Sequence, residues 1–298
     1  MNKKRSGYIT IIGQPNVGKS TLLNRLLKQK VSITSRKPQT TRNQILGIKT
    51  VDDLQFIYVD APGICCREDR LLTRRMNKHA FSSISYANLI LFVISNGHWG
   101  HKERYILSKI SSENIPILLV INKVDRLFDK NAQAFKEQIR LNYDFEDILL
   151  ISAKCGHNLL NLEEKIKKYL ISCDRFLYSK GKVTDKNEEF QASEIIREKF
   201  IRSTGQELPY KIAVKIEQYT YCKHRKILRI NAIIFVERPG QKAILIGRNG
   251  ENIKKIGIDS RRQIGILTRK NIFLHMWVKV RKNWTNTATM LDELDCAS

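Results

Sequence analysis

The chain has 298 residues, a length typical of two domains. It contains 53 Lys and Arg against 29 Asp and Glu, a formal net charge of +24, and 42% of its residues are hydrophobic, which argues against a disordered polycation. The longest apolar runs, residues 87–94 and 115–121, are much shorter than the roughly 20 residues of a membrane span. The charge predicts a polyanionic partner, either nucleic acid or an anionic membrane surface.

Secretion is not expected, because the apolar stretch that follows the basic N-terminus, residues 8–12, is too short for a signal peptide. The six cysteines show no spacing typical of a zinc site. We therefore expect a cytoplasmic protein with reduced thiols.

Residues 1–172 show the pattern of an α/β domain with a doubly wound, mostly parallel sheet. The predicted strands cover residues 8–12, 55–60, 89–95, 115–122 and 148–152, and the predicted helices cover residues 20–27, 73–85, 102–111, 131–141 and 159–170. Because the strands are apolar on both faces, helices are expected to cover both sides of the sheet. The polar, Thr-rich residues 33–47 predict a loop.

Residues 173–187 lose the apolar periodicity and predict a linker to a second domain, residues 188–298. That domain shows a helix at 188–202, strands at 210–219 and 226–238, a glycine-punctuated helical stretch at 241–270 and a strand at 272–280. The order α-β-β-α-α-β predicts an α+β fold, a different class from the first domain.

The positive charge of the second half is concentrated in one segment. Residues 238–282 hold 12 basic residues and two acids, Glu251 and Asp259, for a net charge of +10, whereas the rest of residues 181–298 hold 11 of each sign. A composition bias would spread the charge more evenly. We therefore expect this segment to bind a polyanion.

A phosphate-binding loop, GxxxxGK[ST], stands between the first predicted strand and the first predicted helix. Its glycines let successive N–H groups face phosphate oxygens, Lys19 supplies charge to the β- and γ-phosphates, and Ser20 ligates Mg²⁺. Asn16 is a candidate to hold K⁺ against the phosphates. The predicted nucleotide contacts are Gly13, Gln14, Pro15, Asn16, Val17, Gly18, Lys19, Ser20 and Thr21.

A second motif, DxxG, ends the strand at residues 55–60. Asp60 is expected to hold Mg²⁺ through water and Gly63 to reach the γ-phosphate with its N–H, and a threonine of residues 33–47 completes the metal sphere only when that phosphate is present. Thr40 and Thr41 both qualify, and we prefer Thr41. The predicted nucleotide contacts here are Asp60, Ala61, Pro62, Gly63 and Ile64.

No classical acid or base is predicted for hydrolysis. Ile64 occupies the position where Ras-like proteins carry a water-orienting glutamine, so transition-state support is left to Lys19, Thr41 and Gly63. We expect slow intrinsic turnover.

The NKxD motif selects the base. Asp125 can accept hydrogen bonds from guanine N1–H and the N2 amino group, whereas ATP would leave a buried acceptor unpaired, at a cost of roughly 1–3 kcal/mol. The predicted contacts are Asn122, Lys123, Val124 and Asp125, together with Ser152, Ala153 and Lys154 after the next strand. The four motifs predict a site for GTP and GDP.

The basic segment of the second domain contains a GxxG loop, which lets a nucleic-acid backbone approach closely. The predicted RNA contacts are Ile246, Gly247, Arg248, Asn249, Gly250, Lys254, Lys255, Arg261 and Arg262. His275 and Trp277 lie on an alternating strand, and we interpret them as core or edge residues rather than stacking platforms.

These motifs together resemble the Era family of bacterial GTPases, which carry a C-terminal type II KH domain. The first domain contains GQPNVGKST, SRKPQTTRN, DAPGI, NKVD and SAK, and the second contains ASEIIREKF, ELPY, VERPGQKAILIG, IKKIGID and MWVKV. The resemblance implies a GTP-controlled factor that binds small-subunit ribosomal RNA near its 3′ end and assists assembly of the small ribosomal subunit and rRNA maturation. It also implies a cytoplasmic location with peripheral association at the inner membrane, and we expect a monomer.

Two alternative functions stay open. One is an RNA-binding assembly protein whose nucleotide site is only structural, and the other is a membrane-surface signalling GTPase whose basic face binds anionic lipid. Turnover and nucleotide-dependent RNA binding distinguish the switch from the first alternative, and competition between liposomes and RNA distinguishes it from the second.

Overall fold

The computed structural model describes residues 3–35, 37–95, 99–126, 129–204 and 211–295. Its contacts divide the chain into two units. The first contains Met1–Thr34, Thr41–Glu68 and Thr73–Asp185, and the second contains Ser35–Thr40, Asp69–Leu72 and Lys186–Ser298.

The first unit alternates strands and helices. In chain order they are β1 (Lys4–Ile12), α1 (Lys19–Leu27), β2 (Ile45–Val51), β3 (Leu54–Asp60), α2 (Leu71–Ser82), β4 (Leu89–Ser95), α3 (His101–Ile110), β5 (Ile117–Asn122), α4 (Asp129–Asn142), β6 (Asp147–Leu150), α5 (Leu159–Lys167) and β7 (Ile171–Cys173). The strands form one sheet in the order β2-β3-β1-β4-β5-β6, with β7 paired to β1. The five strands from β3 to β6 are parallel, as predicted.

The sheet is covered on both faces because its central strands are apolar throughout. One face packs against α1 and α5, where Leu22 and Ile166 are fully buried. The other face packs against α3, where Ile106 and Ile110 are fully buried. Because these strands are parallel, their carboxyl ends meet at one edge of the sheet, where the predicted nucleotide motifs lie.

The predicted loop over residues 33–47 is wrong at its end, because β2 begins at Ile45. This strand is antiparallel to β3 at the edge of the sheet, and its partly exposed residues give no continuous apolar run. An edge strand with mixed exposure carries a weaker sequence signal than a central one.

The residues predicted to form a linker, 173–187, are held against the first unit as far as Asp185. Leu46 N donates to Asp185 Oδ1 at 2.9 Å, and Ile48 N donates to Val183 O at 2.8 Å. Because hydrogen bonds to the backbone of β2 hold this segment, it needs no apolar periodicity.

The second unit follows the predicted α-β-β-α-α-β order and adds a final helix. Its elements are α6 (Glu188–Ser203), β8 (Ala213–Cys222), β9 (Ile227–Val236), α7 (Pro239–Ile246), α8 (Glu251–Thr268), β10 (Asn271–Val280) and α9 (Ala288–Asp295). The start of the strand predicted at residue 210, and the ELPY motif with it, lie outside the described residues. The central strand β9 pairs antiparallel with β8 and parallel with β10.

One face of this three-stranded sheet packs against the helices. Leu228, Ile230 and Ile234 of β9 are fully buried there, together with Phe200 of α6 and Ile264 of α8. Within the described residues, no helix is both long and apolar enough to cross a membrane.

Candidate functional site

The predicted phosphate-binding loop connects β1 to α1 and requires glycine at two close approaches. Gly18 has a φ of 102°, and a Cβ there would lie 2.3 Å from Asn122 Nδ2. A Cβ on Gly13 would lie 2.2 Å from Val93 O. The loop is therefore packed too tightly against β4 and β5 for any side chain at these positions.

Lys19 is buried in this loop with its charge turned inward. Its Nζ donates to Gly13 O at 3.1 Å and to Gln14 O at 2.9 Å. Burial lowers the pKa of Lys19 to about 8, although the negative charge of Asp60 opposes that shift. A buried ammonium held by carbonyls is suited to an anionic ligand that supplies the missing counter-charge.

Four oxygen-bearing side chains lie together beside this lysine. Asp60 Oδ2 accepts hydrogen bonds from Ser20 Oγ at 2.6 Å and Ser32 Oγ at 2.8 Å, and Ser20 Oγ lies 2.8 Å from Thr41 Oγ1. The other carboxylate oxygen, Asp60 Oδ1, is buried with no hydrogen-bond partner among the described residues. Hard oxygen donors around an unpartnered carboxylate oxygen fit Mg²⁺.

The hydroxyl of Thr40 is engaged elsewhere and does not join this group. Thr40 Oγ1 donates to Lys37 O at 2.7 Å, whereas Thr41 is buried and within hydrogen-bond distance of Ser20. This arrangement supports our preference for Thr41 as the switch ligand.

The DxxG segment passes directly over the phosphate-binding loop. A Cβ on Gly63 would lie 2.7 Å from Pro15 Cα, so only glycine allows this approach. Ile64 N donates to Gly13 O at 3.2 Å, while the Ile64 side chain is 1% exposed within the core. The side chain that replaces the glutamine therefore contributes packing and no polar group.

Asn122 holds the phosphate and base motifs together. From the end of β5 its Nδ2 donates to Val17 O at 2.8 Å, and its Oδ1 accepts from Ala153 N at 2.9 Å. One carboxamide thus bridges the phosphate-binding loop and the segment that follows β6.

The two charged residues of the NKxD motif, Lys123 and Asp125, lie near Asn122. Lys123 Nζ donates to Asn16 O at 2.5 Å, which lays its aliphatic stem along the phosphate-binding loop. Asp125 is exposed, and its Oδ1 accepts from Ser152 Oγ at 2.6 Å. That hydrogen bond is the main cause that lowers the pKa of Asp125. The carboxylate stays ionised, with its second oxygen able to accept hydrogen bonds from a base.

The remaining predicted nucleotide contacts lie in the same loops. Thr21 is in the first turn of α1, Ala61 and Pro62 follow β3, Val124 begins a short 3₁₀ turn, and exposed Lys154 follows Ala153. The structure thus brings the four predicted motifs to one edge of the sheet.

The predicted RNA loop lies between α7 and α8 and has a left-handed backbone. Gly247 has a φ of 77°, Asn249 of 51° and Gly250 of 78°. A Cβ on Gly247 would lie 2.7 Å from Asn252 Cβ, whereas a Cβ on Gly250 would meet nothing within 4 Å. Ile246 is half-buried, and the other predicted contacts, Arg248, Asn249, Lys254, Lys255, Arg261 and Arg262, are exposed.

Sequence reasoning missed three residues that shape these sites. Ser32 hydrogen-bonds Asp60, and Asn77 of α2 is buried with its Oδ1 accepting from Cys65 N at 3.0 Å. Asn252 Nδ2 donates to the last carbonyls of α7, at 3.2 Å to Ile244 O and 3.1 Å to Leu245 O. Each acts through contacts that its sequence neighbours do not reveal.

Two family models match the chain. The model described as 50S ribosome-binding GTPase covers residues 8–123, and the model described as KH domain covers residues 207–285. Curated relatives match almost the whole chain. The GTPase Era of Vibrio parahaemolyticus is 43% identical over 97% of this chain and 90% of its own length, and the GTPase Era of Coxiella burnetii is 44% identical over 97% of each chain.

Solved structures match along the same length. A crystal structure of Era in complex with MgGDPNP and nucleotides 1506–1542 of 16S ribosomal RNA gives a TM-score of 0.94 at 35% identity over 98% of both chains. A variant of Aquifex aeolicus Era bound to GDP·AlF4⁻ gives 0.93 at 35% identity, over 97% of this chain and 98% of that one. The predicted fold class, a P-loop GTPase domain followed by a KH domain, is confirmed.

Replacing Asn122 tests the geometry of the nucleotide site. Asn122→Ala leaves Val17 O and Ala153 N without their partner, at about 1–3 kcal/mol for each buried group left unsatisfied. We expect at least about a tenfold loss of affinity for a fluorescent GDP analogue, measured by titration. Asn142→Ala removes an exposed amide, outside the nucleotide motifs, whose Nδ2 donates to Gln138 O, and the variant should bind the analogue as the wild type does. Equal affinity of the two variants would contradict the bridging role of Asn122.

Proposed function

The chain belongs to the Era family of GTPases, and we propose that it is a GTP-hydrolysing switch that binds small-subunit ribosomal RNA near its 3′ end. In this proposal it assists small ribosomal subunit assembly and rRNA maturation as a cytoplasmic monomer. The main observation in support is that one chain holds both the four-motif nucleotide site and the GxxG loop. The chain matches, over almost its full length, an Era structure that contains MgGDPNP and nucleotides of 16S ribosomal RNA.

The small subunit is favoured over the 50S particle that the GTPase family description names. That description covers only residues 8–123, which do not include the GxxG loop. The RNA of the full-length structural relative is 16S ribosomal RNA, a component of the small subunit.

In this mechanism the chain positions GTP and neutralises charge. The N–H groups of the phosphate-binding loop and the Lys19 ammonium bind the phosphates, while Ser20, Thr41 and Asp60 (through water) hold Mg²⁺. Bound Mg²⁺ supplies charge neutralisation at the phosphate oxygens. Gly63 directs its N–H toward the γ-phosphate, and Ile64 offers no group to orient water, so intrinsic turnover is slow.

The Asp125→Asn variant tests the assignment of the base. The Asn amide oxygen keeps the hydrogen bond from Ser152, which leaves its NH₂ group in place of the second carboxylate oxygen. That group opposes the N–H donors of guanine but complements the 2-oxo group of xanthine. We expect the variant to lose GTP and to bind xanthosine triphosphate, as measured by nucleotide competition.

A matched control removes a different carboxylate. Asp144→Asn changes an exposed acid outside the nucleotide motifs and should keep its preference for GTP. If Asp125→Asn also preferred GTP, the base assignment would be wrong.

The RNA loop is tested by the double substitution Gly247→Asp and Gly250→Asp. It adds two negative charges and forces two side chains into left-handed backbone, with a direct clash at Asn252. We expect RNA affinity to be lost while GTP binding is unchanged, measured by filter binding and nucleotide titration.

Gly181→Asp is the matched control for this pair. Gly181 also has a positive φ, +89°, with nothing within 4 Å of a Cβ, so Gly181→Asp reproduces, outside the loop, the backbone strain and the single added charge of Gly250→Asp. Unchanged RNA binding by the double variant would refute the assignment of the loop.

We further propose that Asn16 helps to hold K⁺ against the phosphates. It lies in the phosphate-binding loop with a φ of 65°. A monovalent cation there would offset the charge that develops on the phosphates during hydrolysis. We expect faster GTP hydrolysis in K⁺ than in Na⁺ at equal ionic strength, and no such difference in Asn16→Ala. Equal wild-type rates in the two salts would exclude this role.

Peripheral contact with an anionic membrane is the other part of the proposal. The net charge of +24 supports it. Sedimentation with anionic liposomes at physiological salt, with RNA as competitor, separates a lipid-binding surface from an RNA-binding one.

For the in-cell partner, crosslinking followed by sequencing of the attached RNA should recover the 3′ region of small-subunit RNA, with different yields from GTP- and GDP-locked forms.

A further inference from the structure

The second unit has a sheet face that its helices do not cover. Along β10, side chains alternate between the two faces of the sheet. Ile272, Leu274 and Met276 pack against the core under the helices. Phe273, between them, is 57% exposed and points away from that core, and His275 is exposed on the same side.

The register extends this face across the neighbouring strands. Phe273 pairs with Arg229 of β9, and Arg229 pairs with Thr220 of β8. His275 and Trp277 continue the row, with ring centroids 5.1 Å apart. We call the set Thr220, Arg229, Asn231, Phe273, His275 and Trp277 the open sheet face.

At the other end of the same side of the sheet the side chains are buried, so only one end of this side is exposed. Ile233 pairs with Trp277, yet it is only 2% exposed, and Phe235 is 6% exposed. The chain after β10 returns to that end of the sheet, where Lys215 forms an ion pair with Glu293 of α9 at 3.1 Å. The cover stops short of Phe273 and His275.

A basic hairpin borders the open sheet face. Residues 223–226, Lys-His-Arg-Lys, join β8 to β9 next to Arg229, and we call these four residues the basic hairpin. No Asp or Glu occurs in residues 218–236 or in residues 260–282. In the part of the chain that the structure describes, no carboxylate pairs with the hairpin side chains or with Arg229.

We propose that the open sheet face and the basic hairpin form a second binding surface for single-stranded RNA, on the side of the sheet opposite the helices and their GxxG loop. Unpaired bases stack on Phe273, with His275 and Trp277 extending the platform, and phosphates lie against Arg229 and the hairpin. Exposed aromatic rings beside uncompensated positive charge are the two features that sequence-tolerant single-strand binding requires. A protein partner would have to be strongly acidic to match the same surface.

This surface is separable from the GxxG loop, so the experiment uses the full chain carrying Gly247→Asp and Gly250→Asp. A fluorescein-labelled 12-nucleotide oligouridine is titrated, and binding is measured by anisotropy. Loss of one base–aromatic stacking contact by alanine substitution costs about 1–3 kcal/mol of binding free energy, so Phe273→Ala should weaken binding about 5- to 150-fold. Its exposure means that the fold does not depend on this ring.

The hairpin has its own readout. The triple substitution Lys223→Ser, Arg225→Ser and Lys226→Ser removes three phosphate-binding charges. The plot of log affinity against log salt has a negative slope. The triple variant should make that slope less steep by about 2, since each phosphate contact with a single strand contributes about 0.7. Exposed lysines of the first unit, changed together as Lys78→Ser, Lys109→Ser and Lys168→Ser, give the matched control and should leave the slope unchanged.

The apolar control is Ile266→Ala, which removes a side chain of α8 that is 72% exposed, and it should bind as its parent does. Photocrosslinking with 4-thiouridine RNA should label the peptide that contains Phe273. If Phe273→Ala and the hairpin variant bound oligouridine as tightly as their controls, the surface would not be an RNA site, and a protein-docking face would give that result. If the Gly247→Asp/Gly250→Asp parent kept wild-type affinity while the sheet variants lost it, the loop assignment would fail and the second surface would stand.

Discussion

The nucleotide site depends on one buried carboxamide. Asn122 stands at the end of β5 and hydrogen-bonds both the phosphate-binding loop and the segment after β6. It packs so closely on Gly18 that no Cβ fits between them. Since the carboxyl ends of parallel strands meet at one edge, this single contact sets the spacing between the groups for phosphate and for base. The separation between the phosphate-binding loop and the segment after β6 is therefore set at the end of β5.

The phosphate end of the site is organised around charges that burial disfavours. Desolvation lowers the pKa of Lys19 and raises that of Asp60, while their attraction for each other opposes both shifts. Two opposite charges held out of water at this cost are suited to ligands that carry charge themselves, a cation for the carboxylate and phosphates for the ammonium. A polar loop brings Thr41 to the same place, with its Oγ1 2.8 Å from Ser20 Oγ.

Sequence patterns predicted the parts whose signal is local. The strand Leu89–Ser95 was predicted at both ends because it is apolar throughout, and the glycines of the phosphate-binding loop have no alternative residue. The edge strand β2 was missed because it mixes buried and exposed residues, and the segment that follows β7 was missed because hydrogen bonds to the backbone of β2 hold it. Ser32 and Asn252 were missed for a related reason, since each acts on a group that only the fold brings near.

The charge of the second half shows why arithmetic along the chain has limits. Outside residues 238–282 its basic and acidic residues are equal in number, which suggested a neutral remainder. Three acids of α6 form ion pairs: Glu194 pairs with Arg197 and Glu198 with Arg202 in the same helix, and Glu188 pairs with Lys270. Within the described residues, none of these three acids pairs with the basic hairpin. Likewise, the alternation that made His275 and Trp277 resemble core residues is satisfied by either face of a sheet. The alternation along a strand determines which face of the sheet a side chain lies on. Whether that side chain is exposed depends on how far other segments of the chain cover that face.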